Sequence, residues 1–171
     1  MEKGFIQVYT GDGKGKTTAA LGLMLRAVCA GKKVIMLQFM KGMPTSELAA
    51  PALLLKFEIV QHGTESFVEQ APSPEDCRKA QEGLVHLREV LAAGKYGVVV
   101  ADEFNCALAM GLFSLEDALA VLRAKRPETE LLLTGRGAAP EIIALADLVT
   151  EMAAVKHYYN VGVSARVGIE L

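Results

Sequence analysis

The sequence has no marked excess of either charge, no long apolar run, no paired cysteines and no repeat, and each absence narrows what the chain can do. Eighteen Lys and Arg against twenty Asp and Glu give a formal net charge of −2 and a pI near 5.9. There is therefore no global attraction to nucleic acid or to an anionic membrane, and any basic function is local. The longest uncharged stretch, residues 104–115, is twelve residues long, short of the ~20 that a spanning helix needs. Cys29, Cys77 and Cys106 form no C-x-x-C pair and are odd in number. They read as reduced, small core residues of a cytoplasmic protein. The opening residues, MEKG, run straight into an apolar stretch with no signal-peptide pattern. No Ser/His/Asp set and no zinc-ligand spacing is present, which points to chemistry that does not rest on a protein nucleophile.

What is present suits one buried core and a single domain over residues 1–171, with 51% hydrophobic and 22% charged residues. Short apolar, partly β-branched runs alternate with helical stretches. Strands are predicted at residues 5–9, 33–39, 57–61, 97–101 and 131–134, and residues 147–152 also read as strand. A helix over 17–30 is apolar almost all round and is predicted to be buried. A second starts at Ser73 with Pro74, Glu75 and Asp76, buries Cys77, Ala80, Leu84, Leu87 and Leu91, and stops at Gly94. Ser114 with Asp117 opens a third, which Pro127 ends, and 140–146 forms a short fourth. The alternation predicts an α/β fold of three layers, αβα, with a mostly parallel central sheet.

Ligands of such sheets bind beyond the carboxyl ends of the strands. Five segments carry polar residues to that edge: the loop 10–18, "TGDGKGKTT"; Gln38 with Lys41-Gly42; His62-Gly63; Asp102-Glu103 with Asn105; and Gly135-Arg136-Gly137. The first departs from G-x-x-x-x-G-K-[ST] in having Thr10 at the place of the first glycine. Its glycines allow backbone N–H groups to turn inward on an anion at a helix N-terminus. Lys16 would reach phosphate oxygens and the Thr17 hydroxyl would hold Mg²⁺, with the acids of "VVVADE" as its partner. Arg136 between two glycines suits phosphate or ribose recognition, against the plainer reading of a solvated arginine. For His62 a ligand contact and a loop role are equally open. His86 lies off its helix's apolar stripe and reads as solvated. His157, in "KHYY", forms either a substrate wall or a packed corner.

The stretches "VYTGDGKGKTTAALG", "GKKVIMLQFMKG", "VVVADEFNCALAMGL", "LLLTGRGAAPEII", "ADLVTEM" and "VKHYYNVGVSARVGIE" resemble the ATP:corrinoid adenosyltransferases of the CobA/CobO/BtuR type along nearly the whole chain. That family also carries threonine at the position of Thr10. The resemblance implies a P-loop NTPase-like fold and transfer of the 5′-deoxyadenosyl group of ATP to the reduced cobalt of a corrinoid, cob(I)alamin or cob(I)yrinic acid a,c-diamide, releasing triphosphate. It implies that Thr10, Gly11, Asp12, Gly13, Lys14, Gly15, Lys16, Thr17 and Thr18 hold the triphosphate and that Arg136 contacts the nucleotide. Lys16, Thr17 and Glu103 are then the catalytic set, with Thr17, Glu103 and Asp102 at a Mg²⁺ (or Mn²⁺) ion. Met40, Lys41, His62, Phe67 and Asn105 lie toward the corrinoid. A homodimer, and a reductase or flavodoxin that supplies electrons, are implied as well.

Two features depart from the family. Relatives often have several aromatics after the third strand that press on the lower corrin face. Here "QHGTESFVEQ" offers only Phe67, and the chain has no tryptophan. Some relatives have an N-terminal extension that covers a neighbouring subunit's site, whereas this chain starts almost at its first strand, so a more open site is expected. The alternatives carried beside the main reading are an ordinary P-loop ATPase or kinase and a catalytically weak ATP- or corrinoid-binding protein.

Overall fold

The computed structural model describes residues 3–65 and 71–171. Six strands, β1 (Ile6–Thr10), β2 (Val34–Phe39), β3 (Phe57–His62), β4 (Val98–Asp102), β5 (Glu130–Thr134) and β6 (Leu148–Glu151), form one sheet in the order β3-β2-β4-β5-β1-β6. Every pairing is parallel. All residues of β2 and β4 are buried, as their continuous apolar runs require of strands covered on both faces.

Strand alternation sorts the side chains into two layers. Val34, Met36, Val98, Val100 and Leu132 pack with Ala20, Met24 and Ala27 of helix α1 (Lys16–Cys29). Ile35, Leu37, Phe39, Val99, Ala101, Leu131 and Leu133 pack on the other face. They meet α3 (Pro74–Ala93), α4 (Phe104–Ala109) and α5 (Leu115–Leu122) there. A short α2 (Ala50–Leu53) precedes β3, and α6 (Pro140–Leu145) precedes β6. Among the described residues no helix is long and apolar enough to cross a membrane.

The ends of α3 follow the sequence signals. Ser73 and Asp76 form a reciprocal capping box, and Gly94 closes the helix with φ of 61°. Helix α1 corrects its expectation: it is not buried all round. Only one stripe packs on the sheet, because among the described residues no further layer covers its outer side, and Leu25 is 47% exposed. Cys29 is likewise exposed rather than part of the core. The helix that opens at Ser114 ends at Leu122, short of Pro127.

Candidate functional site

The chain turns from β1 into α1 through residues 11–15. Gly11 has φ of 90° and Gly15 of 120°, values that a side chain resists. A Cβ on Gly11 would also stand 2.6 Å from the carbonyl oxygen of Met152. Thr10 has a reason to replace the usual glycine: its hydroxyl accepts the N–H of Ala138 at 3.3 Å. It thereby ties the glycine-rich loop to the turn that follows β5. The N–H of Gly13 donates to the Met152 carbonyl at 2.6 Å, so this amide braces the loop. Lys16 is buried, and its Nζ donates to the carbonyls of Gly11 at 2.6 Å and Gly13 at 2.8 Å. Burial lowers its pKa and the Arg136 charge adds to that, against the pull of Glu103, Cys106 and Asp12. An anionic ligand would relieve this penalty.

Asp102 is the hub beneath the loop. It is fully buried, and its Oδ1 accepts from the hydroxyls of Thr17 at 2.9 Å and Thr134 at 2.6 Å. Its Oδ2 accepts from Lys41 Nζ at 2.7 Å, with Gln38 Nε2 more distant at 3.5 Å. Strand order explains this assembly: β2 and β5 flank β4, and Gln38 lies in register with Asp102. A buried carboxylate without such partners would cost several kcal/mol. Burial works against the Lys41 ammonium, but attraction to Asp102 and the hydrogen bond to it, with Glu103 and Glu47 beyond, leave its pKa above the ordinary lysine value. Lys41 thus turns inward to the hub, although its side chain still borders two cavities.

The adjacent Glu103 behaves differently. It caps α4 with φ of 56°, and its N–H donates to Thr134 Oγ1 at 3.0 Å. This left-handed turn, strained by on the order of 1 kcal/mol, leaves its carboxyl on a cavity wall. Met40, at the end of β2, has a similar φ of 59°. The cavity at the loop, about 620 Å³, is bounded by residues 12–18, Glu103, Arg136 and His157. A second, about 610 Å³, extends past Asp12, Met40, Lys41, Glu103, Cys106, Met110 and Arg136. A third, about 310 Å³, lies between Thr17, Thr18, residues 40–43 and the end of the chain.

Residues 153–171 cross over the loop, a placement that the sequence pattern did not signal. Lys14 Nζ donates to the Ile169 carbonyl at 3.3 Å and lies 3.6 Å from the Glu170 carboxylate. Ser46 donates to the Leu171 carbonyl at 2.7 Å and accepts from the Gly168 N–H at 3.1 Å. His157 lines the cavity at the loop, and its Nδ1 accepts the Tyr159 N–H at 3.1 Å.

The structure gathers most of the predicted set, residues 10–18 with Lys41, Asp102, Glu103 and Arg136, around one loop. Others stand apart. His62 ends the edge strand β3 and pairs with His86, Nε2 to Nδ1, at 3.0 Å. His86 is therefore not simply solvated; it is half-buried against that ring. Burial pushes the His62 pKa down, and His86 adds to the shift. Asn105 is fully buried beneath the turn after β5, with Nδ2 3.5 Å from the Gly135 carbonyl. Phe67 lies outside the described residues. Thr134 and Cys106 were missed as site residues. For Thr134 a signal existed, a polar residue closing an apolar strand at the functional edge.

The family model for ATP:corrinoid adenosyltransferase BtuR/CobO/CobP matches residues 2–171. The chain belongs to that family. A corrinoid adenosyltransferase of Pseudomonas aeruginosa is 37% identical over 171 residues, which are 99% of this chain and 84% of the relative. The Escherichia coli K12 enzyme of the same name is 37% identical over 172 residues, 99% of this chain and 86% of its own. The corrinoid adenosyltransferase CobA of Salmonella typhimurium is 37% identical over 173 residues, with the same two shares, 99% and 86%.

Proposed function

We propose that this protein transfers the 5′-deoxyadenosyl group of ATP to the reduced cobalt of a corrinoid. The electron pair of cobalt forms the new bond to C5′. The C5′–O bond breaks, and its electrons leave with an intact triphosphate. What supports this reading above all is that a buried lysine, glycine-rich backbone and a carboxylate pair meet at one loop in a chain matched by the family model along its length. The nucleophile comes with the substrate, so the protein's work is to align C5′ with cobalt and to stabilise the departing charge.

Lys16, Lys14, the loop amides and Arg136 are suited to the triphosphate. Thr17 and Glu103, with Asp102 behind them, offer the all-oxygen donor set that suits Mg²⁺ or Mn²⁺. Such an ion would neutralise the leaving phosphates. Asp102 already accepts from Thr17, Thr134 and Lys41, so its part is to orient Thr17 rather than to bind directly. Met40, on the wall it shares with Glu103 and Arg136, is apt to face the corrinoid, and Phe67 belongs to the same proposed side. His62 and Asn105 act through packing. A cytoplasmic homodimer of this one domain, supplied with electrons by a reductase or flavodoxin, completes the proposal.

The test is to mix the protein with MgATP and a chemically reduced corrinoid and to follow the absorbance. A light-sensitive alkylcorrinoid is expected; an unchanged spectrum with ATP consumed contradicts the proposal.

A further inference from the structure

Of the three cysteines, Cys106 alone borders the cavity wall that carries both Glu103 and Arg136. Its sulfur accepts the backbone N–H of Arg136 at 3.2 Å. Glu103, the N-cap of the helix that carries Cys106, lines the same wall. The turn after β5 is seated on the start of α4 by further contacts. A Cβ on Gly135 would come within 2.8 Å of the Cys106 nitrogen, and the Glu103 N–H donates to Thr134. Gly135 itself has φ of 126°, so the backbone before Arg136 is set by this approach.

We propose that Cys106 is a positioning residue for the adenosyl transfer, holding the Arg136 turn and the Glu103 carboxyl in one fixed relation so that both reach the same nucleotide. The inference rests on the proposed function, since it concerns how that site is ordered. A thiol suits the place because its sulfur accepts from the Arg136 amide while the side chain stays small enough to pack at the start of α4. Burial pushes its pKa up to about 12, Glu103 adds to that, and the Arg136 N–H opposes it. Valine keeps much of the volume and removes the bond from the Arg136 N–H; serine keeps it with a shorter reach.

The test is calorimetric binding of MgATP to the full chain, compared for wild type, Cys106→Val, Cys106→Ser, Arg136→Ala and the double variant C106V/R136A. The Val variant is expected to bind about fivefold more weakly, the factor set by losing one hydrogen bond. Its KM for ATP should rise likewise while kcat stays within about twofold. Ser should recover most of the affinity, and Val should add little on the Arg136→Ala background. Cys106→Ala carries the same expectation should the Val variant not fold. Wild-type affinity in both Val and Ala, or full additivity with Arg136→Ala, overturns the inference alone. No MgATP binding by the wild type overturns the proposed function with it.

Discussion

Two carboxylates approach the glycine-rich loop from opposite sides, Asp102 from the sheet below and Glu170 from the chain crossing above. Asp102 is fully buried and accepts from side chains on α1, on β5 and in the loop after β2. Glu170 belongs to a stretch whose residues are nearly all exposed. It pairs with Arg166 at 2.9 Å, four residues away, and reaches Lys14 at 3.6 Å. The floor is thus held by the core, so its charges are preorganised whatever binds. The roof is held by exposed polar contacts, which water and salt can replace at little cost. Lys14 links the two: it is a loop cation whose partner above is an exposed carboxylate.

Replacing the floor's main cation gives the largest effect. Lys16→Ala should lower turnover by about 100- to 1,000-fold, the usual loss of a preorganised charge-stabilising donor, in a steady-state assay. Near-normal turnover would remove the loop from the mechanism. Breaking the hub comes next. Asp102→Asn leaves Lys41 half-buried without its counter-charge and should cost about 3 kcal/mol in a denaturant melt. Adding Lys41→Met should restore part of that loss. Disturbing the roof should do much less. Glu170→Gln should leave the unfolding midpoint unchanged and tighten ATP about two- to threefold, because an exposed pair contributes little to folding while Lys14 is released. Weaker ATP binding would mean that Glu170 assists the nucleotide.

The two regions should also part with pH. Arg166, bonded to Glu170, holds that carboxyl down at about 2. The roof contact is then fully present above the ordinary carboxylate range and is lost as pH falls toward that value. Lys41 is raised above 10.5, so the stability contributed by its ammonium is fully present below that pH and is lost only as pH climbs through the raised value. Hydrogen exchange at pH 3 should therefore show residues 153–171 losing more of their pH 7 protection than β4, whose residues are all buried. Equal loss in both regions would erase the distinction.

This contrast also marks how far the sequence could be read. The floor's parts were legible because each has a local cause: a strand, a glycine-rich turn and a helix start at residues 6–17, or an apolar run ending in Asp102-Glu103. Ser73 and Gly94 likewise announced the ends of α3. The bonds between those parts were not legible. Lys41 meets Asp102 across 61 residues only because β2 lies beside β4. His62 meets His86, and Cys106 meets Arg136, through the same kind of packing. The crossing tail has no buried stripe of its own, so periodicity could not place it over the loop. Thr10, an oddity in the motif, acquired its reason only when Ala138 was found against its hydroxyl.

Phosphorus NMR of the products formed from MgATP and a reduced corrinoid tests most directly the claim that the loop cradles a leaving group. The account predicts inorganic triphosphate, with all three phosphates still joined; ADP with free or transferred phosphate would contradict it.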